Sequence, residues 1–113
     1  MTCIFCSIAA GLAQAEIVYA DERVLAFRDH RPAAPFHVLV VPREHVESLW
    51  ELTDADLAGR LLLAAAHVAR EAGLERGFRV IANARYDGGQ EVGHLHLHVV
   101  GGKRLGPMLS TAR

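Results

Sequence analysis

The residues best suited to chemistry are three histidines that alternate with leucines near the C-terminus, in the segment His94-Leu95-His96-Leu97-His98. Side chains on a β-strand alternate between its two faces, so the spacing predicts that the histidines share one face, each roughly 7 Å from the next. The leucines would then face a core. A purely structural strand gains nothing from three imidazoles, whereas imidazole serves near neutral pH as a nucleophile, acid, base or metal ligand. The segment therefore indicates a catalytic or metal-binding site.

A second group is the pair Cys3 and Cys6, whose spacing puts two thiols on one side of a helical turn. Free cysteines often pack as small apolar residues, which is the ordinary interpretation of such a pair. A redox function is disfavoured because no strand precedes the motif, as a thioredoxin-like site requires. A structural zinc site would need two further ligands from elsewhere in the chain.

The elements that must position these side chains follow from the hydrophobic pattern and the turn residues. The pattern predicts a short helix, two strands around a turn, a buried strand stopped by proline, one long helix, and two final strands. The short helix covers residues 4–10, the first two strands residues 17–19 and 24–28, and the buried strand residues 38–41, before Pro42. The long helix runs from Thr53 to Gly73, with Thr53 and Asp56 in a capping arrangement. The final strands are residues 78–82 and the histidine segment. Turns and one long helix, rather than alternating crossover helices, indicate an α+β fold with an antiparallel sheet.

Length and charge restrict the class of protein. The 113 residues suit a single domain, residues 1–113, and the formal net charge is −1. No basic tract favours nucleic acid, and no cationic amphipathic helix or long apolar run favours a membrane. The N-terminus lacks the pattern of a signal peptide. We therefore expect a cytoplasmic protein, whose cysteines would be reduced or bound to metal.

Several blocks of sequence resemble one family. Besides the histidine segment they are 3–6 (Cys-Ile-Phe-Cys), 26–29 (Ala-Phe-Arg-Asp), 35–42 (Pro-Phe-His-Val-Leu-Val-Val-Pro), Asn83 with the following glycine pair, and 101–108 (Gly-Gly-Lys-Arg-Leu-Gly-Pro-Met). In this order and spacing they resemble the histidine triad (HIT) family, and the last block resembles its Hint-like branch. The resemblance implies a HIT-like fold with a five-stranded antiparallel sheet, one long and one short helix, and assembly as a homodimer.

The resemblance also implies an activity, the hydrolysis of purine nucleoside phosphoramidates. His96 would attack phosphorus and form a covalent nucleotidyl-histidine, with His98 and His37 completing the catalytic site. Asp29 would accept hydrogen bonds from both ribose hydroxyls, and Gln90 can donate its amide to a phosphate oxygen. The predicted nucleotide-binding residues are Asp29, His30, Asn83, Gly89 and Gln90.

The resemblance gives the cysteines their missing partners. His45 and His94 match positions that bind zinc in cysteine-bearing relatives, so the predicted ligands are Cys3, Cys6, His45 and His94. Such a Cys2His2 set is closed and structural, and no catalytic metal is expected. Three positions depart from the family pattern, where His30 replaces an aliphatic residue, Glu91 replaces a serine and Gly93 replaces a bulkier side chain.

Three other functions remain open from the sequence. The first is hydrolysis of dinucleoside polyphosphates or adenylyl sulfate by the same histidines. The second is a nucleotide-binding interaction protein with slow or no turnover. The third is a catalytic metal held by the three histidines. The absence of a neighbouring run of carboxylate ligands argues against this function.

Overall fold

One antiparallel sheet with a helix on each face makes up the computed structural model, which describes residues 3–109. The predicted α+β fold, with five strands, one long helix and one short helix, is confirmed. The elements are α1 (Ile4–Ala9), β1 (Ile17–Ala20), β2 (Val24–Arg28), β3 (Phe36–Pro42), a 3-10 turn (Leu49–Glu51), α2 (Ala55–Glu71), β4 (Phe78–Ile81) and β5 (Leu97–Gly101).

The strands lie in the order β1-β2-β3-β5-β4, so β3 runs through the middle of the sheet. Its residues 38–41 are all buried, as the continuous apolar run predicts. Val38 and Val40 face α2, whereas Leu39 and Val41 belong to the smaller core under α1. The strand does not stop before Pro42 but includes it as its last residue. Proline is compatible with a strand end because the ladder needs no further N–H there.

The long helix α2 covers one face of the sheet with small and apolar side chains, which are Leu57, Leu61, Ala64, Ala65, Val68 and Ala69. Its N-cap is Asp54, whose carboxylate accepts a hydrogen bond from the backbone N–H of Leu57, and not Thr53 as the sequence pattern predicts. Asp56 does not cap the helix and instead forms ion pairs with Arg23 and Arg60. No helix within residues 3–109 combines the length and apolar character needed to cross a bilayer.

The short helix α1 brings both cysteines to the opposite face of the sheet. Phe5 is its one buried residue and packs edge-on against Phe27 of β2, with ring centroids 5.5 Å apart. Cys3 caps the helix, because its sulfur accepts the backbone N–H of Cys6. The packing of Phe5 therefore helps to fix where the two thiols lie.

The histidine segment is only partly a strand, because β5 begins at Leu97 and the predicted start at His94 is wrong. The ladder with β3 ends at the pair of Val40 and Leu97, and the N–H of Leu95 donates instead to the carbonyl of Val46 at 2.7 Å. The predicted alternation of faces is nevertheless correct. Leu95 and Leu97 lie in the core under α2, while the rings of His94 and His96 pack against Phe5 of α1.

Candidate functional site

The tautomer of the neutral His96 ring is set by one hydrogen bond. Its Nδ1 lies 2.7 Å from the backbone carbonyl oxygen of His94, and since a carbonyl can only accept, Nδ1 carries a proton. In the neutral ring the lone pair is therefore on Nε2. The ring is 6% exposed and is held edge-on by Phe5 at 5.2 Å and His98 at 5.0 Å between centroids. In its neutral form His96 thus presents an oriented nitrogen lone pair, which could act as a nucleophile.

A second chain of hydrogen bonds fixes the opposite arrangement in His98. The backbone N–H of Ala33 donates to Nδ1 of His37 at 2.9 Å, so neutral His37 carries its proton on Nε2. That Nε2 lies 2.9 Å from Nδ1 of His98 and donates to it. Neutral His98 consequently carries its own proton on Nε2, where it is available to a ligand.

The two free nitrogens, Nε2 of His96 and Nε2 of His98, have complementary roles. Neither makes a hydrogen bond within residues 3–109, and no buried side-chain nitrogen or oxygen of that part of the chain lacks a partner. Both nitrogens therefore reach solvent. One offers a lone pair and the other an N–H, which is the pair of functions needed to attack a phosphorus atom and to hydrogen-bond its oxygens.

Burial keeps the relay neutral. It lowers the pKa of His37, which the nearby carboxylate of Asp29 only partly offsets. The pKa of His98 is lowered to about 4, chiefly by burial and in the same direction by the neighbouring His96 and His37. Near neutral pH both rings are uncharged, as the hydrogen-bond pattern requires.

Asp29 lies at the outer end of this relay, directly after β2. One carboxylate oxygen is 3.4 Å from Nε2 of His37, and the other accepts the backbone N–H of Arg31 at 2.9 Å. The adjacent His30 side chain is 90% exposed, with its Nδ1 3.9 Å from the carboxylate. The structure therefore brings the predicted ribose-binding residue next to the predicted catalytic histidines.

The four predicted metal ligands converge. Cys3, Cys6, His45 and His94 each offer an atom within 4.8 Å of the others, so this cluster could hold a metal ion. Nδ1 of His94 lies 3.3 Å from the Cys3 sulfur and 3.5 Å from the Cys6 sulfur, and Nδ1 of His45 lies 3.2 Å from the latter. Ligand atoms around tetrahedral zinc are roughly 3.3–3.8 Å apart, given bonds of about 2.3 Å to sulfur and about 2.0 Å to nitrogen.

The chemistry of the donor atoms also fits a cation. Nε2 of the fully buried His94 donates to the carbonyl of Pro42 at 2.9 Å, which leaves a lone pair on the Nδ1 that faces the sulfurs. Burial, and then the adjacent Cys3, raise the pKa of the Cys6 thiol. A bound cation reverses this preference, because it stabilises thiolates.

A second group of residues that could bind a metal also lies close together, and it consists of Asp29, His37 and His98. Metal binding at Nε2 of His37 would move the ring proton to Nδ1, where it would oppose the N–H of Ala33. The hydrogen bonds therefore favour a proton-ordered relay at this position over a metal centre.

The loop from Asn83 to Gln90 precedes the histidine segment, and its glycines are required by the backbone. A Cβ on Gly88 would lie 2.4 Å from the carbonyl oxygen of Ala84, and Gly89 has a φ of +76°. Gln90, predicted to donate to phosphate, instead donates its amide to the carbonyls of Glu47 and Val92. In this structure its side chain thereby holds the loop together. Asn83 is half-buried at the start of the loop.

Three contributors to the site were not identified from the sequence. Phe5 orients His94 and His96 by ring packing, with centroids 5.8 Å and 5.2 Å away. The carbonyl of Pro42 and the N–H of Ala33 set two of the tautomers. The sequence cannot show which backbone groups will hydrogen-bond a histidine, because every residue type carries them. The aromatic residue between the two cysteines, in contrast, could have been identified from the sequence as a packing contact of the site.

Comparison with known proteins supports one family. The HIT domain family model matches residues 11–105. Protein HitA of Neisseria gonorrhoeae is 42% identical over 101 residues, covering 88% of this chain and 94% of that protein. Purine nucleoside phosphoramidase of Escherichia coli K12 is 40% identical over 110 residues, covering 95% and 92%. A histidine triad protein structure from Clostridium difficile superposes with a TM-score of 0.91 at 46% identity, covering 96% and 97%.

The lowered pKa of His98 predicts that stability falls with acidification. Its pKa is about 4 in the folded chain against an ordinary 6.5, so between these values the unfolded chain binds the proton and the folded chain does not. Stability from this group is complete above pH 6.5 and is lost as pH falls toward 4. Urea unfolding at about pH 7.5 and about pH 5 should show a smaller loss in His98→Asn than in wild type.

The control for this measurement is His30→Asn, which alters an exposed histidine and should keep the full pH dependence of wild type. An identical loss of stability in His98→Asn and wild type would contradict the assignment of a neutral, buried His98.

Proposed function

This chain belongs to the HIT family, and we propose that it is a nucleotide hydrolase that cleaves the phosphorus–nitrogen bond of purine nucleoside phosphoramidates. The observation that carries the proposal is the complementary protonation of His96 and His98, whose rings lie 5.0 Å apart. The 40% identity to a purine nucleoside phosphoramidase, over nearly the whole of both chains, supports the substrate class.

In the first step Nε2 of His96 attacks phosphorus while the bond to the amine breaks, and the amine leaves with a proton taken from solvent. The N–H on Nε2 of His98 donates to a phosphoryl oxygen and stabilises the charge that develops there. In the second step water attacks the phosphorus of the nucleotidyl-histidine, releases the monophosphate and returns one proton to solvent. Dividing one displacement into two easier ones is the benefit of a covalent intermediate.

Substrate orientation falls to the residues around this pair. Asp29 has two carboxylate oxygens next to the relay, and both can accept hydrogen bonds from ribose hydroxyls. The glycine loop allows a phosphate to approach the backbone closely, with Gly89 in a left-handed conformation. The exposed ring of His30 lies beside Asp29 and would border the nucleoside.

The decisive test of this mechanism is the intermediate on His96. His96→Ala removes the attacking nitrogen, so turnover of a purine nucleoside phosphoramidate should fall by at least about a thousandfold, with monophosphate affinity within about tenfold of wild type. His98→Ala should retain measurable turnover. Rapid quench and mass spectrometry of wild type should find a nucleoside monophosphate on the peptide that contains His96.

Full activity in His96→Ala, or an adduct on His37 or His98, would refute the assignment. Dinucleoside polyphosphate and adenylyl sulfate serve as comparison substrates, and faster cleavage of either would replace the proposed substrate class. Ligand binding without any turnover would favour a nucleotide-binding interaction protein.

We also propose that Cys3, Cys6, His45 and His94 hold structural zinc in the reducing cytoplasm. When bound, zinc supplies a fixed tetrahedral link and takes no part in the reaction. His94 contacts the sulfurs with Nδ1, and its own carbonyl accepts the proton of His96. The ligands therefore tie α1 to the segment that carries the nucleophile.

Replacing Cys3 and Cys6 with Ser should lower the melting temperature more than the turnover of the protein that remains folded, since the metal stabilises the fold. Metal analysis of wild type prepared with zinc should give one zinc per chain. The matched control is Ser7→Ala, which alters the same helix without touching a ligand. Wild type without zinc, or an unchanged melting temperature in the double variant, would contradict the proposal.

The homodimer that the family resemblance implies has support from uncovered apolar surface. Within residues 3–109, β4 pairs only with β5, which leaves its outer edge open, and Phe78 and Val80 of β4 are 42% and 38% exposed. Helix α2 exposes Leu62 and Leu63 by 60% and 71%. A symmetric partner would cover both surfaces and remove the open sheet edge.

Light scattering at micromolar concentration should therefore give the mass of a dimer for wild type. Leu63→Glu places a charge on the exposed face of α2 and should shift the protein toward monomer. Leu12→Glu is the control, because Leu12 is 82% exposed outside these surfaces. A monomeric wild type would overturn the dimer.

A further inference from the structure

The carboxylate of Asp29 competes with the ring of His98 for one proton. This proton lies on Nε2 of His37, which is 2.9 Å from Nδ1 of His98 and 3.4 Å from a carboxylate oxygen of Asp29. The first distance is that of a good hydrogen bond, and the second is longer than an ordinary one. Since a ring N–H can point fully at one acceptor alone, any attraction by the carboxylate weakens the hydrogen bond to His98.

The backbone fixes the position of Asp29 beside this ring. Its N–H donates to the carbonyl of His37 at 3.0 Å, and one carboxylate oxygen accepts the N–H of Arg31 at 2.9 Å. The side chain of Asp29 is 17% exposed, against 5% for that of His37. The carboxylate therefore stays next to the ring while one side of it remains open to a ligand. Ligand binding can change the hydrogen bonds that the carboxylate accepts without moving the chain.

The charge of Asp29 also opposes the neutral state of the relay. In the part of the chain that the structure describes, this carboxylate forms no ion pair with an arginine or lysine, and its charged or titratable neighbours are His37 and His30, at 3.4 Å and 3.9 Å. Burial lowers the pKa of His37 and of His98, whereas the charge of Asp29 acts in the opposite direction on both. The ring of His96 also faces His98 and lowers its pKa.

Two ribose hydroxyls would remove this competition. Each O–H can donate a charge-assisted hydrogen bond to the carboxylate, which weakens the attraction of Asp29 for any other proton. The N–H of His37 then points to His98 alone. Linked hydrogen bonds polarise one another, so a His98 ring that accepts a stronger bond at Nδ1 becomes a better donor at Nε2.

We propose that Asp29 is a positioning residue that couples recognition of ribose to the hydrogen bond between His37 and His98. This coupling rests on the proposed function, in which the ribose hydroxyls donate to Asp29. In the empty site the carboxylate shares the proton of His37 and leaves His98 a weaker donor. Bound ribose releases that proton to His98, so the developing charge on a phosphoryl oxygen is best stabilised beside a complete nucleoside. A phosphoramidate that lacks these hydroxyls loses rate as well as affinity.

The test is an NMR measurement near neutral pH of the scalar coupling across the hydrogen bond from Nε2 of His37 to Nδ1 of His98. The probes are adenosine and 2′,3′-dideoxyadenosine at saturation, since neither brings a phosphate charge close to His98. Adenosine should increase the coupling, and the dideoxy analogue should leave it at the value of the free protein. Asp29→Asn removes the competing charge and should increase the coupling without any ligand.

The matched control is Asp56→Asn, which makes the same chemical change at a carboxylate of α2 whose side chain is 62% exposed, and it should leave the coupling unchanged. An unchanged coupling in Asp29→Asn would overturn the proposal. Equal increases with adenosine and with its dideoxy analogue would also overturn it, because the base would then be responsible.

Turnover supplies a second measurement. Removing both ribose hydroxyls from an adenosine phosphoramidate should raise KM in wild type and also lower kcat by about threefold, because His98 donates less strongly. In Asp29→Asn the two substrates should share one kcat. A wild type in which the hydroxyls alter KM alone would contradict the coupling, since Asp29 would then serve in binding only.

The two proposals fail separately. An inactive protein with the expected NMR couplings would refute the phosphoramidase activity and leave the role of Asp29 intact. An active enzyme whose couplings do not respond to adenosine would refute the role of Asp29 and leave the activity intact.

Discussion

The site depends on the hydrogen bond from Nε2 of His94 to the carbonyl of Pro42. It forms in a fully buried position, where an unpaired imidazole N–H would be costly, so it fixes both the ring orientation and the tautomer. The other ring nitrogen is thereby turned to the thiols of Cys3 and Cys6. The His94 carbonyl in turn holds Nδ1 of His96. One buried bond therefore connects the end of the central strand, the cluster of thiols and imidazoles, and the ring of His96.

The rings of His96 and His98 receive opposite proton patterns from the backbone. A carbonyl acceptor gives His96 a free lone pair, whereas the N–H of Ala33, acting through His37, gives His98 a free proton. Backbone groups cannot exchange donor for acceptor as hydroxyl groups can, so they fix the tautomers of both rings. The low pKa of His98 follows from burial and helps to preserve this pattern, since a protonated His98 would disrupt its bond from His37.

The sequence predicted the sheet, the helices and the separation of histidines from leucines because all three follow from hydrophobic periodicity. The resemblance supplied the grouping of Cys3, Cys6, His45 and His94, which spacing alone left open. Periodicity placed His94 on the strand but could not show where the ladder ends, because that depends on the hydrogen bond between Leu95 and Val46. The acceptors of the Gln90 amide could not be read from the sequence for a similar reason, since they belong to residues whose positions only the folded loop determines.

The cluster of thiols and imidazoles has a consequence for the order of folding. Cys3 and His94 are 91 positions apart, so their contact closes a loop that includes almost every element of the chain. Contacts of such long range form after local ones, because the chain entropy of closing the loop must be overcome first. A chain still emerging from the ribosome, or one missing its last strand, cannot assemble the support of His96. The ring of His96 is thus oriented only when the whole sheet exists, which makes its geometry a report on completed folding.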